Sequence, residues 1–130
     1  MSNKIEINID FDGTCVTHDY PRVGADIGSV KVLKRLVDKG HKLILFTMRS
    51  EKNNSLIDAI EWFGIHEIPL YGIQSNPTQK HWTSSPKSYA PLMIDDSAIG
   101  CPLKYDPEIS PRKFVDWEKV EAMLEEQGLI

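Results

Sequence analysis

Cysteine is scarce in this chain. Only Cys15 and Cys101 occur, without metal-type spacing, which points to reduced thiols rather than a disulfide framework. No apolar run approaches the length of a membrane span. There is no excess of positive charge: the formal net charge is −4, which argues against nucleic acid as a tightly held partner. The first strand pattern begins almost at the start of the sequence, which leaves no room for a leader peptide. No internal repeat or low-complexity tract is visible. Together these absences predict a cytoplasmic protein with no membrane contact.

What is there is ordinary in bulk and specific in detail. The 130 residues, 41% hydrophobic and 26% charged, suit one globular domain over 1–130. The alternating run Ile5-Glu6-Ile7-Asn8-Ile9 reads as a strand, and Asp10-Phe11-Asp12-Gly13-Thr14 follows it directly. Residues i and i+2 of a strand point the same way. Asp10 and Asp12 therefore converge, unless the turn bends Asp12 off the strand axis. Converging carboxylates repel unless a cation or a shared proton relieves them. That setting suits one carboxylate as nucleophile and the other as proton carrier. Asp-Gly is also common turn chemistry. A calcium loop fails on spacing, because Cys15 stands where its glycine belongs and Pro21 where its closing glutamate belongs.

Downstream, Asp26 caps a predicted helix to about residue 39, with Ile27, Val30, Leu33 and Val37 on one face and Gly40 as the stop. Residues 42–47 form a continuous apolar run ending at Thr47, as expected of a strand covered on both faces. A helix over about 55–63, a short strand near 68–71 and an apolar run over 91–95 closing on Asp95-Asp96 follow. A last amphipathic helix starts near Asp116. Residues 72–88 read as a long polar loop, either functional or poorly ordered. The alternation predicts an α/β fold: a parallel sheet with helices on both faces, three-layer and Rossmann-like. Ligands bind such sheets at the carboxyl ends of the strands. Acid, hydroxyl and acid fall at three of those ends. Asp95 and Asp96 joined to Asp10 offer the hard oxygens that Mg²⁺ requires. Thr47 can hydrogen-bond a phosphoryl oxygen, and Lys80 or Lys87 can balance its charge.

The ordered set of Asp10-Phe11-Asp12-Gly13-Thr14, Thr47, a lysine and Asp95-Asp96, each after an apolar strand, resembles the four motifs of the haloacid-dehalogenase superfamily. It spans residues 5–99. The spacing of Lys87 before Asp95 is similar to that of small capless members, which favours Lys87 over Lys80. The resemblance implies a haloacid-dehalogenase-like fold and a Mg²⁺-dependent phosphatase. Asp10 would attack phosphorus and form an aspartyl-phosphate, while Asp12 would protonate the leaving group and then activate water. Mg²⁺ would be held by Asp10, the Asp12 carbonyl and Asp95, with Asp96 orienting its water shell or serving as the ligand itself. Thr47 and Lys87 would hold the phosphoryl group, with Gly13, Thr14, Met48 and Arg49 beside it. Neither cap insertion point, 15–25 or 72–86, is long enough for a cap domain. The site should be open to a phosphorylated small metabolite or exposed phosphoester, unless a second subunit of a homo-oligomer covers it.

Other side chains carry alternatives. Arg49 either clamps an anionic group or makes a surface salt bridge. His18 is expected to be a solvated loop residue, with Tyr20 and Arg22 nearby. Trp82 and Tyr89 could form a lid, a subunit contact or simple packing. Cys15 is read as a small residue in a crowded turn. Residues 100–112 carry no legible chemistry, with Asp106 and Glu108 solvated. A phosphoacceptor receiver domain also combines acids, a threonine and a lysine, but places its acidic pair first and its lysine last. A non-catalytic binding domain on the same fold remains the other class.

Overall fold

The computed structural model describes residues 3–130. Four strands form a parallel sheet in the order β3-β2-β1-β4: β1 Glu6–Ile9, β2 Lys42–Leu45, β3 Gly72–Ile73 and β4 Leu92–Ile94. Helix α1, Ser29–Asp38, connects β1 to β2, and α2, Ser55–Ile65, connects β2 to β3. A small antiparallel pair, β5 Leu103–Lys104 and β6 Phe114–Val115, precedes the last helix α3, Trp117–Glu126. The architecture is the expected α/β, three-layer Rossmann-like fold, without a cap domain among the described residues. Among the described residues no helix is long and apolar enough to cross a membrane.

Strand parity divides the two faces. Ile7, Ile9, Leu43 and Leu45 join Leu33 and Leu36 of α1, Trp62 and Phe63 of α2, and Val120 and Leu124 of α3 in one core. Asn8 shows the opposite parity, and its amide donates to the Ser88 carbonyl at 3.0 Å while Ser88 Oγ donates back to Asn8 Oδ1 at 3.1 Å. The second face is thus covered by the β3–β4 crossover. Within it stands a single 3₁₀ turn, Gln79–His81. Reversing direction across the sheet puts this crossover opposite α1 and α2, as right-handed connections require.

Several boundaries differ from expectation. Helix α1 begins at Ser29, not Asp26: Asp26 instead accepts the Gly28 N–H at 3.0 Å, so it shapes the turn before the helix. The third strand lies at Gly72–Ile73 rather than 68–71, because Ile68 is still tied to the Phe63 carbonyl at the end of α2. The polar segment after it is ordered. Gln79 donates to the carbonyls of Ser85 and Lys87 and accepts the Tyr89 N–H, and Asn76 donates to the Tyr89 carbonyl.

Candidate active site

Register brings the acids together. Ile9 pairs with Leu45 on one side and Ile94 on the other, so β1, β2 and β4 end at one level. The next residues, Asp10 and Asp95, are neighbours across the strands, and Asp10 N–H donates to the Ile94 carbonyl at 3.1 Å. Asp96 completes the group: one carboxylate oxygen from each of Asp10, Asp95 and Asp96 lies within 4.8 Å of the others. These are hard oxygen donors on three half-buried side chains, a set that fits a hard divalent cation. Without such an ion, burial first and then the neighbouring Asp95 and Asp96 push the Asp10 carboxyl up to about 8, against the opposing hydrogen bond from Thr14.

The oxygens are not equally committed. Thr14 Oγ1 donates to Asp10 Oδ2 at 2.7 Å, lies 3.3 Å from Asp96 Oδ1 and accepts the Asp96 N–H at 3.0 Å. Asp95 Oδ1 accepts from Ser97 N and Oγ at 2.8 and 2.7 Å. His18 Nε2 lies 2.8 Å from Asp96 Oδ2, with both side chains more than four-fifths buried. His18 is therefore not the solvated loop residue expected. It folds back over Gly13, where an added Cβ would collide with His18 Nε2 and with Asp96 Oδ2. Gly13 also has φ +79°, so both space and backbone demand glycine.

Asp12 does not join the group. The turn carries its carboxylate to Arg49, whose Nε and Nη2 donate to the two oxygens at 2.8 and 2.7 Å. Arg49 is neither a surface salt bridge nor an anion clamp, because its side chain is 1% exposed. Its remaining N–H groups go to the carbonyls of Pro21, Arg22 and Ser55 at 3.2, 2.7 and 3.0 Å, so all five donors are committed. The guanidinium also lies 5.0 Å from the Phe11 ring centroid and 5.4 Å from that of Tyr20. Arg49 fastens the acidic motif to the loop after it and to the start of α2.

Thr47 lies beyond the end of β2, half-buried, and accepts the Arg49 N–H at 3.1 Å, which leaves its own hydroxyl proton to donate. Gln74, which no sequence pattern singled out, fixes it: Oε1 accepts the Thr47 N–H at 2.9 Å, and Nε2 donates to the Thr47 and Arg49 carbonyls at 2.7 and 3.2 Å. Its one local signal is that of a polar residue directly after an apolar strand end. Met48 is 97% exposed. Gly13 and Thr14 are buried and do not present a substrate surface: the Gly13 N–H is spent on the Val16 carbonyl, and Thr14 is the bridge between Asp10 and Asp96. The segment 100–117 braces this turn, with Val115 N–H donating to the Gly13 carbonyl and Trp117 Nε1 to the Thr14 carbonyl at 2.7 Å. Cys15 is buried, and burial followed by the charges of Asp10 and Asp12 pushes its thiol up, as befits a packing residue.

Lys87 is exposed and its ammonium pairs with no carboxylate among the described residues. It lines a cavity of about 270 Å³ together with Trp82, Tyr89 and Gln79. Its neighbour Ser88 is bonded to Asn8, two residues before Asp10. Lys80 is likewise exposed. Trp82 and Tyr89 pack edge to face, with ring centroids 5.3 Å apart.

No protein-family model and no curated protein matches the chain. The solved structure of a conserved protein coded by a locus of Bacteroides thetaiotaomicron is similar, with 33% identity, 96% of this chain and 93% of that chain covered, and a TM-score of 0.77.

Proposed function

We propose that this chain, which belongs to the same family as that conserved Bacteroides thetaiotaomicron protein, is a Mg²⁺-dependent phosphomonoester hydrolase of the haloacid-dehalogenase type. The observation that carries the reading is the convergence of Asp10, Asp95 and Asp96 at the carboxyl ends of β1 and β4, one strand from Thr47. Asp10, Asp95 and, through its water shell, Asp96 are the residues that would hold the cation. Bound there, the cation neutralises charge on the phosphoryl group and favours ionised carboxylates.

Asp10 then acts as nucleophile. Its carboxylate forms a bond to phosphorus through one oxygen while the ester P–O bond breaks, and Asp12 gives a proton to the departing oxygen. Water next attacks phosphorus and yields its proton to Asp12, releasing inorganic phosphate and restoring the Asp10 carboxylate. Arg49 takes one lone pair on each Asp12 oxygen, and the other lone pairs remain for this proton traffic on a side chain 18% exposed. The Thr47 hydroxyl donates to a phosphoryl oxygen, and Lys87 supplies the positive charge from the crossover loop. Positioning and charge neutralisation supply most of what phosphoryl transfer requires.

The test is phosphate release from a broad panel of phosphoesters, with Mg²⁺ and with chelator, for the wild type and Asp10→Asn. Release that needs the metal and vanishes in the variant supports the reading. A folded, metal-binding wild type that releases phosphate from no substrate refutes it and leaves a binding domain.

A further inference from the structure

We propose that His18 is a positioning residue for the acidic centre, holding Asp96 so that Asp10 and Asp95 each keep an oxygen for a divalent cation. Asp96 Oδ2 lies 2.8 Å from His18 Nε2, while Oδ1 stands 3.3 Å from a Thr14 hydroxyl whose proton goes to Asp10. Asp10 and Asp95 each use a single oxygen within the protein, on Thr14 and on Ser97. His18 is thus the partner that orients the Asp96 carboxylate from the first loop. Such outer partners fix ligand geometry without touching the ion.

The packing shows that this contact is built rather than incidental. The imidazole and the Asp96 carboxylate meet directly over Gly13, in space that a single methyl group would fill. His18 and Asp96 are 78 residues apart, so their bond also closes the first loop onto the end of β4. Without it, Asp96 keeps only Thr14, and its carboxylate is free to turn out of the geometry in which the three acids meet.

The proposal rests on the hydrolase reading only for its kinetic arm. The experiment measures Mn²⁺ affinity by electron paramagnetic resonance and Mg²⁺ affinity by calorimetry, on the full chain, for wild type, His18→Ala, His18→Gln, Asp96→Asn and the double variant His18→Ala/Asp96→Asn. His18→Ala should weaken the metal by about 10- to 100-fold. His18→Gln, which keeps an N–H at similar reach, should recover to within about 3-fold of wild type, because its donor can still engage Asp96. In the Asp96→Asn background the His18 effect should disappear. Unchanged affinity in His18→Ala, or the same loss with and without Asp96, overturns the proposal, as does a wild type that binds neither ion. With p-nitrophenyl phosphate, His18→Ala should regain most of its kcat at saturating Mg²⁺. A wild type inert toward every phosphoester, with the metal-affinity pattern intact, overturns the hydrolase reading and leaves the positioning role standing.

Discussion

Replacing Asp10 by Asn should make the metal-free protein more stable while abolishing the proposed hydrolysis. The Asp10 carboxyl ordinarily titrates at 3.8, and the fold pushes it up to about 8, through burial first and then Asp95 and Asp96. At pH 7 the native state therefore carries a proton that the unfolded chain has released. Taking up that proton costs about 4 kcal/mol, at about 1.4 kcal/mol per pH unit above the ordinary value. An Asn carboxamide imitates the protonated acid without that cost. It can still accept from Thr14 and can turn its N–H₂ toward Asp96. We expect a gain of about 1–4 kcal/mol at pH 7, a rise in Tm of about 5–15 °C for a chain of this size. The sign with pH follows from the same linkage. Below 3.8 both states hold the proton and the variant gains nothing; the gain grows between 3.8 and about 8 and levels above that. The assay is thermal unfolding by circular dichroism in EDTA at pH 4, 6 and 8. A variant no more stable than wild type at pH 8, or equally advantaged at pH 4, would show that Asp10 is not held protonated by the fold.

Mg²⁺ should bind more tightly as pH rises toward 8, losing up to about tenfold per unit below it, because the ion requires the ionised Asp10; calorimetry at pH 6, 7 and 8 checks this. Arg49→Met should destabilise the protein by about 3–5 kcal/mol in urea titrations, since it strands the Asp12 carboxylate and three carbonyls. Adding Asp12→Asn to Arg49→Met should recover part of that loss. Gly13→Ala should cost about 2 kcal/mol or more in the same titrations, because the methyl strikes the His18–Asp96 contact at a positive φ. Asn8→Ala should cost about 1–2 kcal/mol and speed hydrogen exchange at residues 74–90, the segment that Ser88 ties to β1.

Periodicity made β1, β2, β4 and the helices legible, because hydrophobic burial on one or two faces imprints a repeat on each. Asp10, Thr47 and Asp95 were legible because parallel strands end at a common edge, where a polar side chain adds little to the packing of the core. Asp12 was half legible. Its strand parity suggested convergence, but the turn through Gly13 carries it to Arg49 instead. Arg49 and His18 were not readable, since their partners lie across the fold and nothing local marks an arginine as fully enclosed. The same holds for Gln74 and for the hairpin β5–β6, whose four residues are too short to show a pattern. The displaced third strand shows the other limit: a two-residue strand is defined by its neighbour's backbone, not by its own composition.

The ties on residues 74–90 have a kinetic consequence. Asn76 and Gln79 hold the segment internally, and Ser88 anchors it to Asn8 in the middle of β1. A segment fastened in this way is a wall. Access to the acids then does not wait on opening of this segment. On the proposed hydrolase reading, solvent viscosity would leave kcat untouched unless departure of phosphate sets the pace.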